Sequence, residues 1–244
     1  MTVGEIVSNF EKVAEFHSVF EQPIKRQPDL NVFAEDEKLV NLRYSLIEEE
    51  TKEFIDAARG KDIVEMVDAL ADINYVVHGT GLAFGFNMDA IFQLAKIPKT
   101  REPGSPSAFF DRYSADHVDS LCSEFQQLLD HLKEAFKKRD IIAVAVVALR
   151  IIEKTYEVAA DLNVDLDEAF RLVHRSNMTK ACVSQAQAEE TLEKYKKDLS
   201  VYKDPAIRQA KEGHYWIVYD RATGKTLKNK FYEAVNLRPI VYGA

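Results

Sequence analysis

Apolar residues recur at helical spacing along most of the chain. Ile6, Phe10, Val13, Phe16 and Phe20 predict an amphipathic helix over Glu5 to Phe20. Pro23 and Pro28 then mark an irregular stretch. A second helix is expected from about Glu37 to Ala58, closed by the turn Arg59-Gly60-Lys61 with Gly60 as its C-cap. Asp62 can N-cap a third helix that continues to about Ala83, and a short helix follows from about Asp89. Lys96 to Ala108 holds Pro98, Pro103, Gly104 and Pro106 and reads as a linker. Beyond it come a helix from about Asp116 to Lys138, one capped by Asp140 and ending near Ala160, a short one near Asp167, and a polar one from about Gln187 to Leu199. Tyr215 to Tyr219, the turn Asp220 to Gly224 and the Lys-rich segment after it predict a small β-hairpin.

The plan of long helix, short turn, apolar helix and short helix occurs twice. Sliding the chain against itself by 78 residues sets Lys61-Asp62-Ile63-Val64 on Arg139-Asp140-Ile141-Ile142, and Ala57, Ile73 and Phe92 on Ala135, Ile151 and Phe170. The expected fold is therefore all-α, a bundle of two degenerate repeats with a small C-terminal hairpin. The expected division is 1–97 for the first repeat, 98–115 for the linker, 116–200 for the second repeat and 201–244 for the tail, with the repeats packing as one domain.

Composition narrows the class. Of 244 residues 46% are hydrophobic and 30% charged, a globular balance. A net charge of −8 argues against nucleic acid as partner, since its backbone is bound by clustered Lys and Arg. Cys122 and Cys182 make no disulfide framework, so a reducing compartment is expected. The longest apolar run, Ile141 to Leu149, is too short to span a bilayer, and the N-terminus lacks a signal-peptide pattern. These features point to the cytoplasm, with no membrane partner.

The chemistry concentrates on the first helical pair. Glu49, Glu50 and Glu53 fall within one ~100° sector of the second helix, and Glu65, Asp68 and Asp72 within about 60° on the third. Taken alone, such a run also reads as a solvated acidic face, and Glu48 points away to solvent. Two features favour a site. The third helix is apolar around most of its circumference, so it is expected to be buried, and a buried charge requires a partner. Folding back at Gly60 sets Glu53 level with Asp68 and Glu50 level with Asp72. Four like charges at that range repel, and a divalent cation relieves them; all-oxygen ligands favour Mg²⁺ or Mn²⁺ over zinc. Glu65 is equally placed for a capping box with Asp62. In the second copy Gln127, Leu128, His131, Val146 and Arg150 stand where Glu49, Glu50, Glu53, Asp68 and Asp72 would fall. That copy is then a packing partner, with Arg150 either at the core edge or reaching the acidic cluster.

Leu46-Ile47-Glu48-Glu49-Glu50-x-x-Glu53 followed by Asp68-Ala-Leu-Ala-Asp72-Ile-Asn-Tyr75-Val-Val-His-Gly79 resembles the all-α nucleoside triphosphate pyrophosphatases, the MazG-like and phosphoribosyl-ATP pyrophosphohydrolase-like proteins. Ser176-Asn177-Met178-Thr179-Lys180 is similar to the group's S-N-x-x-K segment, and Gly224-Lys225-Thr226-Leu227-Lys228 to its G-K-x-x-K ending. The resemblance implies a Mg²⁺-dependent hydrolase that cuts a nucleoside triphosphate into monophosphate and pyrophosphate. Glu50, Glu53 and Asp72 would be metal ligands, and Glu49 a further ligand or the group that orients water. The group's second-helix Glu falls at Ala69, so Asp68 would supply the fourth carboxylate. Asn177, Lys180, Arg43, Lys225 and Lys228 would bind substrate. The two tail lysines and Arg43 also read as ordinary surface charges, and residues 174–180 as a polar helix end. Phe16, His17 and Phe20 either cover the base or pack the first helix.

In the group S-N-x-x-K comes from a neighbouring subunit. Here copy one has Ile97-Pro98-Lys99-Thr100 in its place while copy two keeps it, which implies a monomer acting as a pseudo-dimer, or a homodimer of such chains. The substrates implied are dUTP, dCTP or related nucleotides, with phosphoribosyl-ATP as an alternative. A non-enzymatic helical interaction protein is a rival. A di-iron bundle ranks low, because no Glu-x-x-His occurs in the acidic pair.

Overall fold

The computed structural model describes residues 7–93, 105–197 and 202–243. The first helix, α1 (Asn9–Val19), starts from a capping box in which the Ser8 hydroxyl accepts from the Glu11 amide and Glu11 accepts from the Ser8 amide. A single turn, α2 (Val32–Glu35), follows the proline-marked stretch. Then come the long pair α3 (Glu37–Gly60) and α4 (Ile63–Phe84), and the short α5 (Met88–Phe92). The Ile97–Thr100 segment lies outside the described residues, as does the first part of the expected linker. The rest of that linker holds a 3-10 turn, Pro106–Ala108, and α6 (Phe109–Arg112), with Phe109 fully buried.

The second pair is α7 (Ala115–Lys137) and α8 (Ile141–Leu162), followed by α9 (Leu166–Met178) and the polar α10 (Gln185–Lys196). The hairpin pairs β1 (Pro205–Gln209) with β2 (Trp216–Asp220), and α11 (Arg238–Tyr242) ends the chain. The strand expected after Gly224 is reduced to an isolated bridge, Tyr219 to Thr226. The main partner of Trp216 to Asp220 lies upstream instead, where Pro205 opens the strand at a position that needs no ladder donor.

The repeat is exact in register. Helices begin at Glu37 and Ala115, at Ile63 and Ile141, and at Met88 and Leu166, always 78 residues apart. Asp62 and Asp140 cap α4 and α8 with the same geometry, φ −95° and −99°. Left-handed residues also recur in pairs: Lys61 and Arg139 at φ 57° and 56°, Gly85 and Asn163 at 87° and 56°. The left-handed position after α3 is thus Lys61, one residue past the expected Gly60. At Lys61 the chain makes 3.2 and 2.9 Å amide bonds from Lys61 and Asp62 to Ala58 and Ala57. Because the Asp62 amide is used this way, Glu65 is left exposed instead of closing a capping box.

The two hairpins pack as one four-helix unit, α3 on α7 and α4 on α8, around a shared core that runs from Val13 to Val241. Helix α4 also touches α1 and α9, which explains why it is apolar on nearly every side. Asn74 on α4 donates to the Thr155 hydroxyl on α8 at 2.7 Å inside this core. His78, further along α4, packs against the Phe10 and Phe170 rings, and burial lowers its pKa to about 3. Among the described residues no helix is long and apolar enough to cross a membrane.

Two predictions follow from this packing. A Cβ at Gly85 would stand 1.8 Å from the Gln27 carbonyl oxygen on a backbone already at φ +87°, whereas the matching residue of the second copy is asparagine. Gly85→Ala should cost about 3 kcal/mol in urea unfolding, and Asn163→Gly less than about 1 kcal/mol. His78 is neutral in the folded chain, while the unfolded chain takes a proton below about pH 6.5. Stability from this residue is full above that pH and is lost as pH falls toward 3, by up to about 1.4 kcal/mol per pH unit. Denaturation between pH 6.5 and 4.5 should therefore be less acid-sensitive in His78→Gln than in the wild type.

Candidate functional site

The antiparallel α3–α4 pair brings Glu50, Asp68 and Asp72 to one cavity and leaves Glu53 off its lining. One cavity of about 460 Å³ is bounded by α1, α3, α4, α9 and the tail after β2. Glu50 from α3 and Asp68 and Asp72 from α4 line it on one side. Asn177 and Lys180, at the end of α9 in the second copy, line the other, with Lys228 and Tyr232 of the tail. Arg43 lies two turns before Glu50 on the same face of α3 and borders the cavity as well.

Electrostatics mark the acidic wall as strained. Burial, then Asp72 and the other neighbouring carboxylates, raises Glu50 to about 8. Burial, then Asp68, raises Asp72 to about 7, with Lys180 opposing. Burial, then Glu65 and Glu53, raises Asp68 to about 6, and its Oδ1 is buried without a hydrogen-bond partner. Among the described residues, no three His, Cys, Asp or Glu side chains stand in a ready-made metal cage. Repulsion between unscreened carboxylates favours that spread arrangement. The donor set itself, all oxygen with one orphaned buried atom, suits a hard divalent cation.

Glu49 and Glu53 are exposed and stay off the cavity lining, yet both act on Glu50 electrostatically, so they stand at its rim. Glu53 itself is raised, by burial and then by Glu49 and Glu65. Glu48 turns away, as expected: it accepts from the Tyr44 hydroxyl at 3.0 Å and pairs with Lys52. Lys180 Nζ donates to Asn177 Oδ1 at 2.6 Å, and burial lowers its pKa despite Asp72 nearby. Lys225 is exposed and away from the cavity, so the structure does not bring that expected substrate-binding residue into the site. Ser176 is committed to the tail, its hydroxyl donating to the Glu233 carbonyl at 2.7 Å.

Arg43 is a buried residue, not a surface one, and among the described residues it enters no ion pair. Its Nη2 reaches Gln22 Oε1 at 3.4 Å, and its Nε is buried without a partner. Beside it His17 Nδ1 donates to the Pro23 carbonyl at 2.9 Å, and burial, then Arg43, lowers the ring to about 4. Phe16 and His17 thus face the cavity, whereas Phe20 is packed in a small core with Val19 and Ile217. Gln22, Tyr232 and Val235 also stand on the lining, and no motif or spacing pointed to them. They sit in irregular segments, where no periodicity tells which side chain faces inward.

The second copy keeps a hollow where the first has its acids. A cavity of about 290 Å³ is lined by Gln127, Leu128, His131 and Arg150, with Glu124 and Lys154. Arg150 does not reach the acidic cluster; it is exposed and pairs with Glu153 at 3.0 Å. Lys154 is held between Glu124 and Glu157 at 2.7 and 2.5 Å.

Residues 13–99, the acid-bearing copy, match the family model described as phosphoribosyl-ATP pyrophosphohydrolase. Over nearly its whole length the chain is similar to an uncharacterised protein, L479, of Acanthamoeba polyphaga mimivirus, 32% identical over 251 aligned positions that cover 98% of each. No solved structure matches. The family match supports an activity of pyrophosphohydrolase type.

The strain has a measurable consequence in metal-free buffer. A carboxyl raised to about 8 destabilises the fold above that pH, and the penalty is relieved as pH falls toward its unfolded value near 4.5. With a chelator present at pH 8.5, Glu50→Gln should stabilise the protein by about 1–2 kcal/mol, and the gain should vanish near pH 5. Thermal melts at the two pH values check this.

Proposed function

The chain belongs to the all-α nucleoside triphosphate pyrophosphatase superfamily, and from that membership we propose that it is a Mg²⁺-dependent pyrophosphohydrolase acting on nucleoside triphosphates of the dUTP or dCTP kind. One observation carries the reading: carboxylates of one copy and the Asn177–Lys180 pair of the other line the same cavity. An acidic stripe serving only as a solvated face would not be half-buried, raised in pKa and set opposite a lysine.

Glu50, Asp68 and Asp72 would hold the cation, with Glu53 at the rim as a further oxygen donor. A bound Mg²⁺ supplies charge neutralisation for the phosphates and makes water a better nucleophile. The protein's own groups do the positioning. Lys180 and Lys228 donate to phosphate oxygens, and Asn177, already bonded to Lys180, fixes that lysine's direction. Glu49, exposed at the rim, orients the attacking water and takes its proton. The water oxygen bonds to the α-phosphorus, the bond from that phosphorus to the α,β-bridging oxygen breaks, and pyrophosphate leaves with the bridging oxygen. The chain would work as a monomer holding both halves of the site, so a symmetric partner need not complete it.

With Mg²⁺ and water labelled with heavy oxygen, the label should appear in the nucleoside monophosphate and not in pyrophosphate. Asp72→Asn should lower kcat by about 10²–10³-fold, while Glu48→Gln should keep the wild-type rate. Asp72→Asn at full rate, or no pyrophosphate from any nucleotide, would remove this assignment.

A further inference from the structure

We infer that Arg43 is a specificity residue whose guanidinium donates to a ring carbonyl of the nucleobase, so that the site takes carbonyl-bearing bases and discriminates against adenine. The inference rests on the proposed function and deepens it.

The cavity has two chemically different ends. Glu50 and Asp72 stand level on the α3–α4 pair; Arg43 and Gly79 each lie seven residues further from the turn, about two helical turns or ~10 Å along the axis. The cations suited to phosphate cluster at the acidic end, where Lys228 is near enough to Lys180 to depress its pKa. At the other end, among the described residues, Arg43 stands among neutral groups, and burial alone accounts for its lowered pKa. It is 4% exposed, yet it lines the cavity. Its neighbours are His17, held neutral by burial, Gln22, whose carbonyl oxygen already accepts from Arg43, and Gly79. Gly79 is what lets the two side chains approach: a Cβ there would stand 2.8 Å from Arg43 Nη1 and 3.0 Å from His17 Nε2.

Among the described residues one amide oxygen, at 3.4 Å, meets this buried guanidinium and none meets its Nε, so the group has donors to spare for an acceptor in the cavity. A flat ligand is indicated by the adjoining wall, where Phe16 meets the Tyr75 ring edge-on at 5.5 Å. With the phosphates held two turns away, the group that reaches Arg43 is the base. A carbonyl oxygen offers lone pairs to the guanidinium. The amino group that adenine carries at the corresponding position offers another donor and leaves both sides unpaired, which is the arrangement that gives strong rejection.

Hypoxanthine and adenine have the same size and differ along one edge, a carbonyl and N1–H against an amino group and bare N1, so they isolate the effect to that edge. By calorimetry, dIMP and dUMP should each bind the wild type about 10- to 100-fold more tightly than dAMP. The dIMP-to-dAMP ratio should fall to near unity in Arg43→Met. Gly79→Ala, which fits a helix, displaces the Arg43 tip and crowds the His17 ring, and should collapse the ratio in the same way if Arg43→Met fails to fold. Inorganic tripolyphosphate, tested with Mg²⁺, should bind wild type and both variants alike. A wild-type ratio near unity, or loss of tripolyphosphate binding in Arg43→Met, would overturn the inference and make Arg43 a phosphate or structural residue. Binding of monophosphates does not require turnover, so these results stand apart from whether pyrophosphate is released.

Discussion

The structure depends on putting ionisable carboxylates on a helix that packing buries. Helix α4 is surrounded by α1, α3, α8 and α9, and the same packing that stabilises it removes water from Asp68 and Asp72. Taking charge out of water is costly unless something opposite in sign meets it. Here the answer comes from the other copy: α9 packs on α4 and ends with Asn177 and Lys180 facing the acids. Lys180 against three raised carboxylates leaves like charges facing one another within the cavity, with Lys228 exposed at its edge. Instability of this kind recurs at functional sites, where the local arrangement is kept against the preference of the fold.

The backbone of each hairpin was readable because its signals are local. An Asp cap, a run at 3.6 spacing and a two-residue turn set α3, α4, α7 and α8 within a few residues, and the shared offset of 78 identified the second copy. Where expectation and structure part, a local rule was outvoted. Gly60 was the natural left-handed residue, but the chain turns at Lys61, as it turns at Arg139 in the other copy. The hairpin strand upstream, Pro205-Ala-Ile-Arg-Gln, has no clean alternation and was invisible to a period-two reading. The acidic half of the site was legible for the same reason the helices were, since Glu50, Asp68 and Asp72 sit at fixed angles on regular elements.

The other half was only partly legible. Lys180 could be placed by its motif, but not Tyr232 or Gln22, which reach the cavity through irregular backbone. Arg43 was read equally as a substrate-binding residue and as a surface charge paired with a nearby Glu, and it is in fact buried on the cavity wall. Its burial is set by His17, Gln22 and Gly79, residues distant in sequence or from another helix, and spacing along α3 says nothing about them. Sequence patterns carry the direction of a side chain on its own element; they do not carry what another element brings to meet it.

The hollow lined by Gln127, Leu128, His131 and Arg150 shows what a two-copy chain permits. In an assembly of identical subunits every substitution is made twice, once in each symmetry-related site, so no half can drift while the other is conserved. Within one chain each position changes singly. The second hollow could lose its acids without touching the first, and α9 could specialise in meeting Asp72 without serving an acidic cluster of its own. Asymmetry on this scale is open to a covalently joined pair and closed to a symmetric one.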